Sequence, residues 1–128
     1  MATVLRLQHT SIPMPADGHS RARAFFGDAL GMPEVPPPKE LDVPNLVWFL
    51  AGDDGHEIHL FVDPALAAKS TAQHLCLQVD DVDAYRARLK KHNVAIEETT
   101  EIPTRPRFFV HDPFQNFIEI AQIIGDYT

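Results

Sequence analysis

The sequence predicts an α+β fold in which one domain, residues 1–128, is built from two βαβββ modules. Short apolar segments with the two-residue period of strands alternate with two segments that have the period of amphipathic helices. A weak internal repeat supports this division. The dipeptides at 8–9 and 73–74 are both Gln-His, and each opens a strand that leads into a helix containing Arg-Ala-Arg. The modules are placed at about 1–64 and 73–126, and each is expected to supply half of one curved sheet.

The first module begins with a strand at 4–12, which Pro13 and Pro15 are expected to stop. An amphipathic helix follows at 19–30, and Gly31 suits its C-terminal end. Its N-cap candidates are Asp17 and Ser20. After a proline-rich loop, a hairpin closes around the turn sequence Gly-Asp-Asp-Gly, with strands at 46–51 and 57–62.

The second module repeats this plan after a linker at about 65–72. Asp80 or Asp81 can cap its helix, which ends near Asn93. The turn Asp-Pro-Phe-Gln joins the last two strands. The predicted elements are a strand at 73–79, the helix at 81–92, and strands at 94–99, 107–111 and 116–123.

Charge and composition exclude several classes of partner. The formal net charge of −7 argues against nucleic acid and against an anionic membrane surface, because both attract basic proteins. No apolar run approaches the roughly 18–20 residues that span a bilayer, and the N-terminus does not resemble a secretory signal. A lone cysteine, Cys76, cannot form an internal disulfide, which fits a cytoplasmic location.

Four polar side chains are predicted to share the strand faces opposite the aliphatic core. They are His9, His59, His74 and Glu119. His9 and His74 are 65 residues apart, and His59 and Glu119 are 60 apart, so each pair occupies equivalent points of the two modules. A single histidine of this kind is more often a surface or pocket-lining residue. Four at equivalent positions indicate a site for Zn²⁺, Ni²⁺, Fe²⁺, Mn²⁺ or Co²⁺.

Two segments resemble the vicinal-oxygen-chelate superfamily, which includes glyoxalase I, bleomycin-resistance proteins and extradiol dioxygenases. The segment A-F-F-G-D-A-L-G-M at 24–32 is similar to its helix-end signature, and F-V-H-D-P-F-Q-N-F-I-E-I at 109–120 resembles its closing hairpin. Gln115 stands where that hairpin usually has glycine, which predicts local strain if the turn requires a positive φ. The resemblance implies a curved mixed sheet with the helices on its convex face.

The resemblance also implies a site and an activity. Its metal-dependent members take ligands from the positions of His9, His59, His74 and Glu119, and they act on small oxygenated molecules. We therefore expect a glyoxalase-like lyase or isomerase with a divalent metal, in which Glu119 is both ligand and base. Glu57 is a second candidate catalytic carboxylate, against the alternative of a solvated strand-edge side chain.

Several side chains on the same strand faces are candidates for holding a substrate. Arg107, or its neighbour Arg105, could bind a carboxylate or a phosphate, although surface arginines are commoner. The remaining substrate-binding candidates are Ser11, Trp48, Phe61 and Phe109.

Three other functions remain open. They are a metal-free protein that sequesters a drug, a small ring-cleaving dioxygenase, and a thiol transferase like the fosfomycin-resistance enzymes. Members of this size usually close the site as dimers, so the resemblance also implies a homodimer.

Overall fold

The computed structural model describes residues 2–66 and 72–126. The chain divides into two compact units, Met1–Leu66 and Ala67–Thr128. Each unit contains a mixed β-sheet and one helical segment, so the predicted α+β class with two sheet modules is confirmed. Most of the predicted linker at 65–72 lies outside the described residues. No described helix is long and apolar enough to cross a membrane.

The first unit contains a four-stranded sheet with the order β1-β4-β3-β2. Strands β1 and β4 are parallel, whereas β3 pairs antiparallel with both β4 and β2. Helix α1 continues as a π-helix over Arg23–Ala29, and a short 3₁₀ helix over Val43–Asn45 precedes β3. The named elements are β1 His9–Met14, α1 His19–Ala22, β2 Glu34–Val35, β3 Leu46–Leu50 and β4 Glu57–Val62.

The core of the first unit lies between the helical segment and one face of the sheet. The helical segment buries an apolar stripe in which the ring centroids of Phe25 and Phe26 are 4.9 Å apart. Phe26 also contacts Phe49 of β3, with 5.6 Å between ring centroids. The alternating strand residues on this face are buried, namely Ile12, Met14, Val47, Phe49, Ile58 and Leu60. The other side chains of these strands therefore point to the opposite face of the sheet, away from the core.

Three predictions for the first unit were wrong. Strand β1 begins at His9, not at residue 4, and it continues through Pro13. It does so because β1 is an edge strand, where a residue without an N–H is tolerated. Helix α1 is preceded by Gly18 as N-cap, and no described side chain caps it, so neither predicted capping residue acts as one. Strand β2 was missed because two residues are too few to show a period.

The second unit contains a three-stranded sheet with the order β5-β7-β6, in which β5 and β7 are parallel and β6 and β7 antiparallel. Asp81 caps its helix by accepting a hydrogen bond from the N–H of Ala84 at 3.0 Å. Residues 94–99 form no strand; only the isolated bridge between Glu97 and Phe109 occurs there. The named elements are β5 Leu75–Gln78, α2 Val82–Lys91, β6 Arg107–His111 and β7 Phe117–Ala121.

The turn between β6 and β7 is held by a buried carboxylate. Asp112 is 2% exposed and accepts hydrogen bonds from the backbone N–H groups of Phe114 and Asn116, each at 2.8 Å. It also accepts one from the Asn116 amide at 2.7 Å. Gln115 adopts φ 70°, the left-handed region that glycine occupies without strain. The strain that the resemblance predicted at Gln115 is therefore present.

Candidate metal centre and ligand-binding face

The polar face of the first unit is organised in rows across its strands. We call it the module 1 face, and it comprises His9, Ser11, Leu46, Trp48, Glu57, His59 and Phe61. Ser11 of β1 and Trp48 of β3 are both register partners of His59 in β4. Register partners point to the same side of a sheet, so the three side chains share this face. The structure thus places together every residue of the first unit that the sequence predicted for the site.

His59 lies between two other rings on the module 1 face. Its ring is stacked on that of Trp48, with 3.6 Å between centroids, and on that of His9, with 4.0 Å. The residue is only 7% exposed. Burial lowers the pKa of His59, the hydrogen bond to Glu57 opposes that change, and the nearby charge of His9 lowers the pKa further. The uncharged imidazole, the form that binds metal ions, is therefore favoured.

The hydrogen-bond partners of these two histidines indicate which ring nitrogens keep a lone pair. Nε2 of His59 lies 2.7 Å from a carboxylate oxygen of Glu57, and Nδ1 of His9 lies 2.7 Å from the side-chain oxygen of Gln8. Both oxygens are acceptors, so these nitrogens carry the protons in the neutral rings. Nδ1 of His59 and Nε2 of His9 are then the available donors to a metal ion.

The polar face of the second unit has the same row pattern. We call it the module 2 face, and it comprises His74, Cys76, Gln78, Arg107, Phe109, Phe117, Glu119 and Ala121. Cys76 of β5 and Phe109 of β6 are both register partners of Glu119 in β7. This row is equivalent to the row of Ser11, His59 and Trp48 in the module 1 face. The equivalence of His59 and Glu119 that their spacing predicted is therefore seen in the strand registers.

Glu119 connects two other polar side chains of the module 2 face. One carboxylate oxygen lies 3.1 Å from Nε2 of His74, and the other accepts a hydrogen bond from Arg107 at 3.3 Å. Nδ1 of His74 lies 2.8 Å from the backbone carbonyl oxygen of Ala72. His74 therefore has an acceptor oxygen at each ring nitrogen. A proton or a cation between Nε2 and the carboxylate satisfies both groups.

The donor pair of His74 and Glu119 fits a divalent metal ion. A protein nitrogen or oxygen ligand lies about 2.0–2.2 Å from zinc, so two ligands of one ion are about 2.8–3.6 Å apart at angles between 90° and 109°. The observed 3.1 Å between Nε2 and the carboxylate oxygen falls in this range. Ligating histidines commonly donate the other ring N–H to a carbonyl, as His74 does to Ala72. The residues present therefore suit a metal ion.

Each unit supplies two of the four predicted ligands, His9 and His59 in the first and His74 and Glu119 in the second. Within residues 2–66 and 72–126, no three histidine, cysteine, aspartate or glutamate side chains are grouped closely enough to hold a metal ion. The assembly of all four ligands around one ion remains a prediction.

The thiol of Cys76 is not prepared for nucleophilic chemistry. Burial raises its pKa to about 11, and the charge of Glu119 contributes in the same direction. The positive charges of Arg105 and Arg107 lower the pKa, but they do not offset these effects. Because the thiolate is the reactive form, Cys76 is inert near neutral pH.

Three features of the site were missed by sequence reasoning. They are the contact of Glu57 with His59, that of Arg107 with Glu119, and the position of Gln78 opposite Ala121 in the module 2 face. The two-residue period put all of these side chains on the correct faces. The contacts themselves depend on strand register and side-chain rotamers, for which the sequence has no local signal.

Comparison with known proteins identifies the family. A family model described as the Glyoxalase/Bleomycin resistance protein/Dioxygenase superfamily matches residues 6–120. A putative glyoxalase family protein from Bacillus anthracis is similar in structure, with a TM-score of 0.85, 29% sequence identity, and coverage of 96% of this chain and 98% of that chain. No curated protein sequence matches this chain.

Two further solved structures have the same fold but belong to proteins with different functions. A lactoylglutathione lyase from Agrobacterium tumefaciens has a TM-score of 0.68 and 21% identity, covering 91% of this chain and 92% of its own. TnmS3, an antibiotic binding protein from Streptomyces sp. CB03234, has a TM-score of 0.66 and 22% identity, covering 96% and 99%. The match of the family model over most of the sequence shows that this chain belongs to the Glyoxalase/Bleomycin resistance protein/Dioxygenase superfamily.

Proposed function

We propose that this protein is a metal-dependent enzyme, a glyoxalase-like lyase or isomerase that acts on a small oxygenated metabolite or electrophile. His9, His59, His74 and Glu119 are the proposed ligands. The observation that carries the proposal is His74, whose two ring nitrogens both face acceptor oxygens while Nε2 lies at metal-ligand spacing from Glu119. A divalent cation bound between Nε2 and the carboxylate would satisfy both groups.

The bound metal ion would act as a Lewis acid that stabilises negative charge on substrate oxygens. The chain itself supplies groups that hold and move a proton. Glu57 accepts the Nε2 proton of His59, and Glu119 is fixed by Arg107, so both carboxylates have defined orientations. A carboxylate within hydrogen-bond reach of a substrate C–H or O–H can serve as general base. Glu119 and Glu57 are the proposed residues for this role.

The substrate is proposed to lie against the aromatic residues of the two faces. Trp48 forms the wall beside His59, and its indole N–H is buried with no hydrogen-bond partner among the described residues. An unpaired buried donor of this kind is satisfied when a substrate oxygen accepts from it. Phe109 is the equivalent aromatic residue beside Glu119. Ser11 and Phe61, on the same face as Trp48, complete the proposed contacts.

A metal-free binding protein is the second candidate. The rings of Phe109 and Phe117 are stacked with 4.4 Å between centroids and 9° between planes. Such a flat aromatic surface suits a planar drug as well as a metabolite. The similarity in fold to an antibiotic binding protein is compatible with this alternative. The two candidates differ in whether a metal ion is required.

Metal content distinguishes the metal-dependent enzyme from the metal-free binding protein. Tag-free wild-type protein is measured by plasma mass spectrometry beside Glu119→Ala, His74→Ala and the control His92→Ala, which changes an exposed histidine at the end of α2. We expect about one metal ion per proposed site in the wild type and the control, and a loss in the other two variants. A wild-type protein that takes up no metal ion on titration contradicts the enzyme proposal and favours the binding protein.

The identity of the metal then selects the assay. Zinc or nickel directs it to lyase and isomerase substrates, whereas iron directs it to catechols and oxygen uptake, as expected for a ring-cleaving dioxygenase. Manganese directs it to thiol transfer.

We also propose a homodimer in the cytoplasm. Size-exclusion chromatography with light scattering measures the mass, which should be twice the 14.3 kDa of the chain. A monomer at micromolar concentration contradicts the dimer, and fractionation of cells tests the location.

A further inference from the structure

We propose that the module 2 face selects anionic substrates, because Arg107 and Gln78 bind a carboxylate or phosphonate group beside Glu119. This inference deepens the proposed function by naming the chemical class of its substrate, and it rests on the module 2 face being part of the site. It is carried by the strand register, the hydrogen bonds of Arg107 and the local charge.

The register places two long polar side chains on either side of a small residue. Gln78 of β5 and Arg107 of β6 are both register partners of Ala121 in β7. Neighbouring strands are about 4.8 Å apart, so the two backbones flank Ala121 at a separation of about 10 Å. Ala121 has no side-chain atoms beyond Cβ, and the amide of Gln78 and the guanidinium of Arg107 can therefore converge on one bound group. That row is adjacent to the row that contains Glu119.

Arg107 has a donor that no described residue uses. One terminal nitrogen donates to Glu119 at 3.3 Å, and the other donates to the carbonyl oxygen of Thr100 at 3.1 Å. The Nε–H is buried and has no hydrogen-bond partner among residues 2–66 and 72–126. A buried donor without a partner is destabilising, so a small shift of Arg107 that lets an oxyanion accept from Nε–H and the adjacent terminal N–H would be favoured. The guanidinium carbon lies 5.7 Å from the centroid of Phe109, which keeps the group on this face.

The charge of this face differs from that of the whole chain. The formal net charge of the chain is −7, which repels anions at long range. Around the thiol of Cys76, the positive charges of Arg105 and Arg107 lie close to the negative charge of Glu119, and Arg107 is hydrogen-bonded to Glu119. A divalent metal ion on Glu119 would increase the local positive charge.

The equivalent row of the module 1 face is apolar. Phe61 occupies the position equivalent to Ala121, with Pro13 and Leu46 as its register partners. Neither of those partners carries a side-chain donor. The proposed anion site is thus a difference between the modules, not a property of the repeated fold.

The test uses benzoate and benzamide, which have nearly the same shape but differ in charge. Zinc-loaded and chelator-treated full-length protein are titrated with each compound by NMR, and metal content is measured in the same samples. We expect wild-type protein to bind benzoate at least about tenfold more tightly than benzamide, which corresponds to one charge-assisted hydrogen-bond pair. In chelator-treated Arg107→Met the two affinities should become equal; the zinc content of the loaded variant is compared separately, because Arg107 also contacts Glu119.

Three further variants make the result decisive. Gln78→Leu, at an exposed position, should lower the preference for benzoate without loss of fold. Arg107→Lys, which keeps the charge, should retain part of the preference if Arg107→Met does not fold. Arg23→Met is the matched control, because it breaks an arginine–glutamate pair in the first unit and should leave the preference unchanged.

Equal binding of benzoate and benzamide by wild-type protein overturns the inference, as does a preference that survives in Arg107→Met. A protein that takes up none of zinc, nickel, iron, manganese and cobalt refutes the metal-dependent function instead. The chelator-treated samples still decide the anion site in that case, so the two failures are distinguishable.

Discussion

Replacement of Asp112 by alanine should destabilise the second unit strongly, because one buried carboxylate holds the turn between β6 and β7. The change removes the hydrogen bonds of 2.7–2.8 Å that this carboxylate accepts from the N–H groups of Phe114 and Asn116 and from the Asn116 amide. A hydrogen bond to a charged group contributes about 1.5 kcal/mol or more, and such bonds to one acceptor are not additive. We expect the free energy of unfolding to fall by about 3–4 kcal/mol.

Urea denaturation followed by circular dichroism measures this loss, which corresponds to a decrease in Tm of about 10–15 °C for a chain of this size. Asp112→Asn should lose only about 1–2 kcal/mol, since one side-chain oxygen can still accept from the two backbone N–H groups. The matched control is Asp63→Ala, which removes one hydrogen bond from an exposed turn, to the N–H of Ala65 at 3.0 Å. That control should change stability by less than about 1 kcal/mol.

The loss of stability in Asp112→Ala should also be confined mainly to the second unit. The turn sets the register of β6 on β7, which places Phe109 beside Glu119 and Arg107 beside Ala121. In Asp112→Ala, backbone amides of β6 and β7 should exchange hydrogen faster than those of β3 and β4. A loss no larger than that of Asp63→Ala, or equal protection in both sheets, would refute the role given to Asp112.

Three further predictions concern single residues. Burial lowers the pKa of His59, so the unfolded state binds more protons than the folded state below the ordinary value of about 6.5. The free energy of unfolding should therefore fall as the pH drops below 6.5. Denaturation of chelator-treated protein should show this pH dependence in the wild type and not in His59→Leu. The single tryptophan, Trp48, is stacked on His59, and its fluorescence should fall on protonation of that ring with a midpoint below 6.5, a transition that His59→Leu should abolish. Gln115→Gly should stabilise the chain by up to about 1 kcal/mol in urea denaturation, because glycine relieves the strain at φ 70°; a loss of stability would contradict this.

The sequence predicted the elements whose signals are local. Strands β4 and β7 alternate clearly, β3 and β6 contain short apolar runs, and Asp81 begins α2 as a capping residue should. The boundaries of β1 were not predictable because they depend on a partner. The ladder between β1 and β4 runs from the pair of His9 and Glu57 to the pair of Met14 and Val62, so β1 extends only as far as β4 does. Residues 94–99 have strand-forming character but make only one bridge, because a strand requires a neighbour along its length.

For the candidate site, too, the sequence predicted the features with local signals and missed those that depend on neighbouring strands. Alternation alone put His9, His59 and Glu119 on faces opposite the core, because side-chain direction follows from the strand period. The order of the rings around His59 and the contact of Arg107 with Glu119 depend on register and rotamers. Register and rotamers are set by tertiary packing, and no pattern of single residues in the sequence encodes them.

Glu57 offers a test of how the first unit presents His59. In the second unit the position equivalent to Glu57 is Phe117, and Glu119, the equivalent of His59, is held by Arg107 instead. Glu57 accepts from Nε2 of His59 at 2.7 Å, which leaves Nδ1 as the metal donor. If this hydrogen bond orients the ring, Glu57→Leu should weaken metal binding by about 10–100-fold, as changes behind a metal ligand commonly do.

Competition with a metal-binding dye measures this affinity, and Glu57→Gln provides the matched variant because its amide oxygen can still accept the proton. A metal affinity that decreases from wild type to Glu57→Gln and again to Glu57→Leu supports a positioning role. Equal affinities would mean that Glu57 does not position His59 for metal binding. Complete loss of metal in both variants would instead make Glu57 a ligand, with Nε2 of His59 as its neighbour on the ion, because a carboxylate that only orients a ring is not needed for binding.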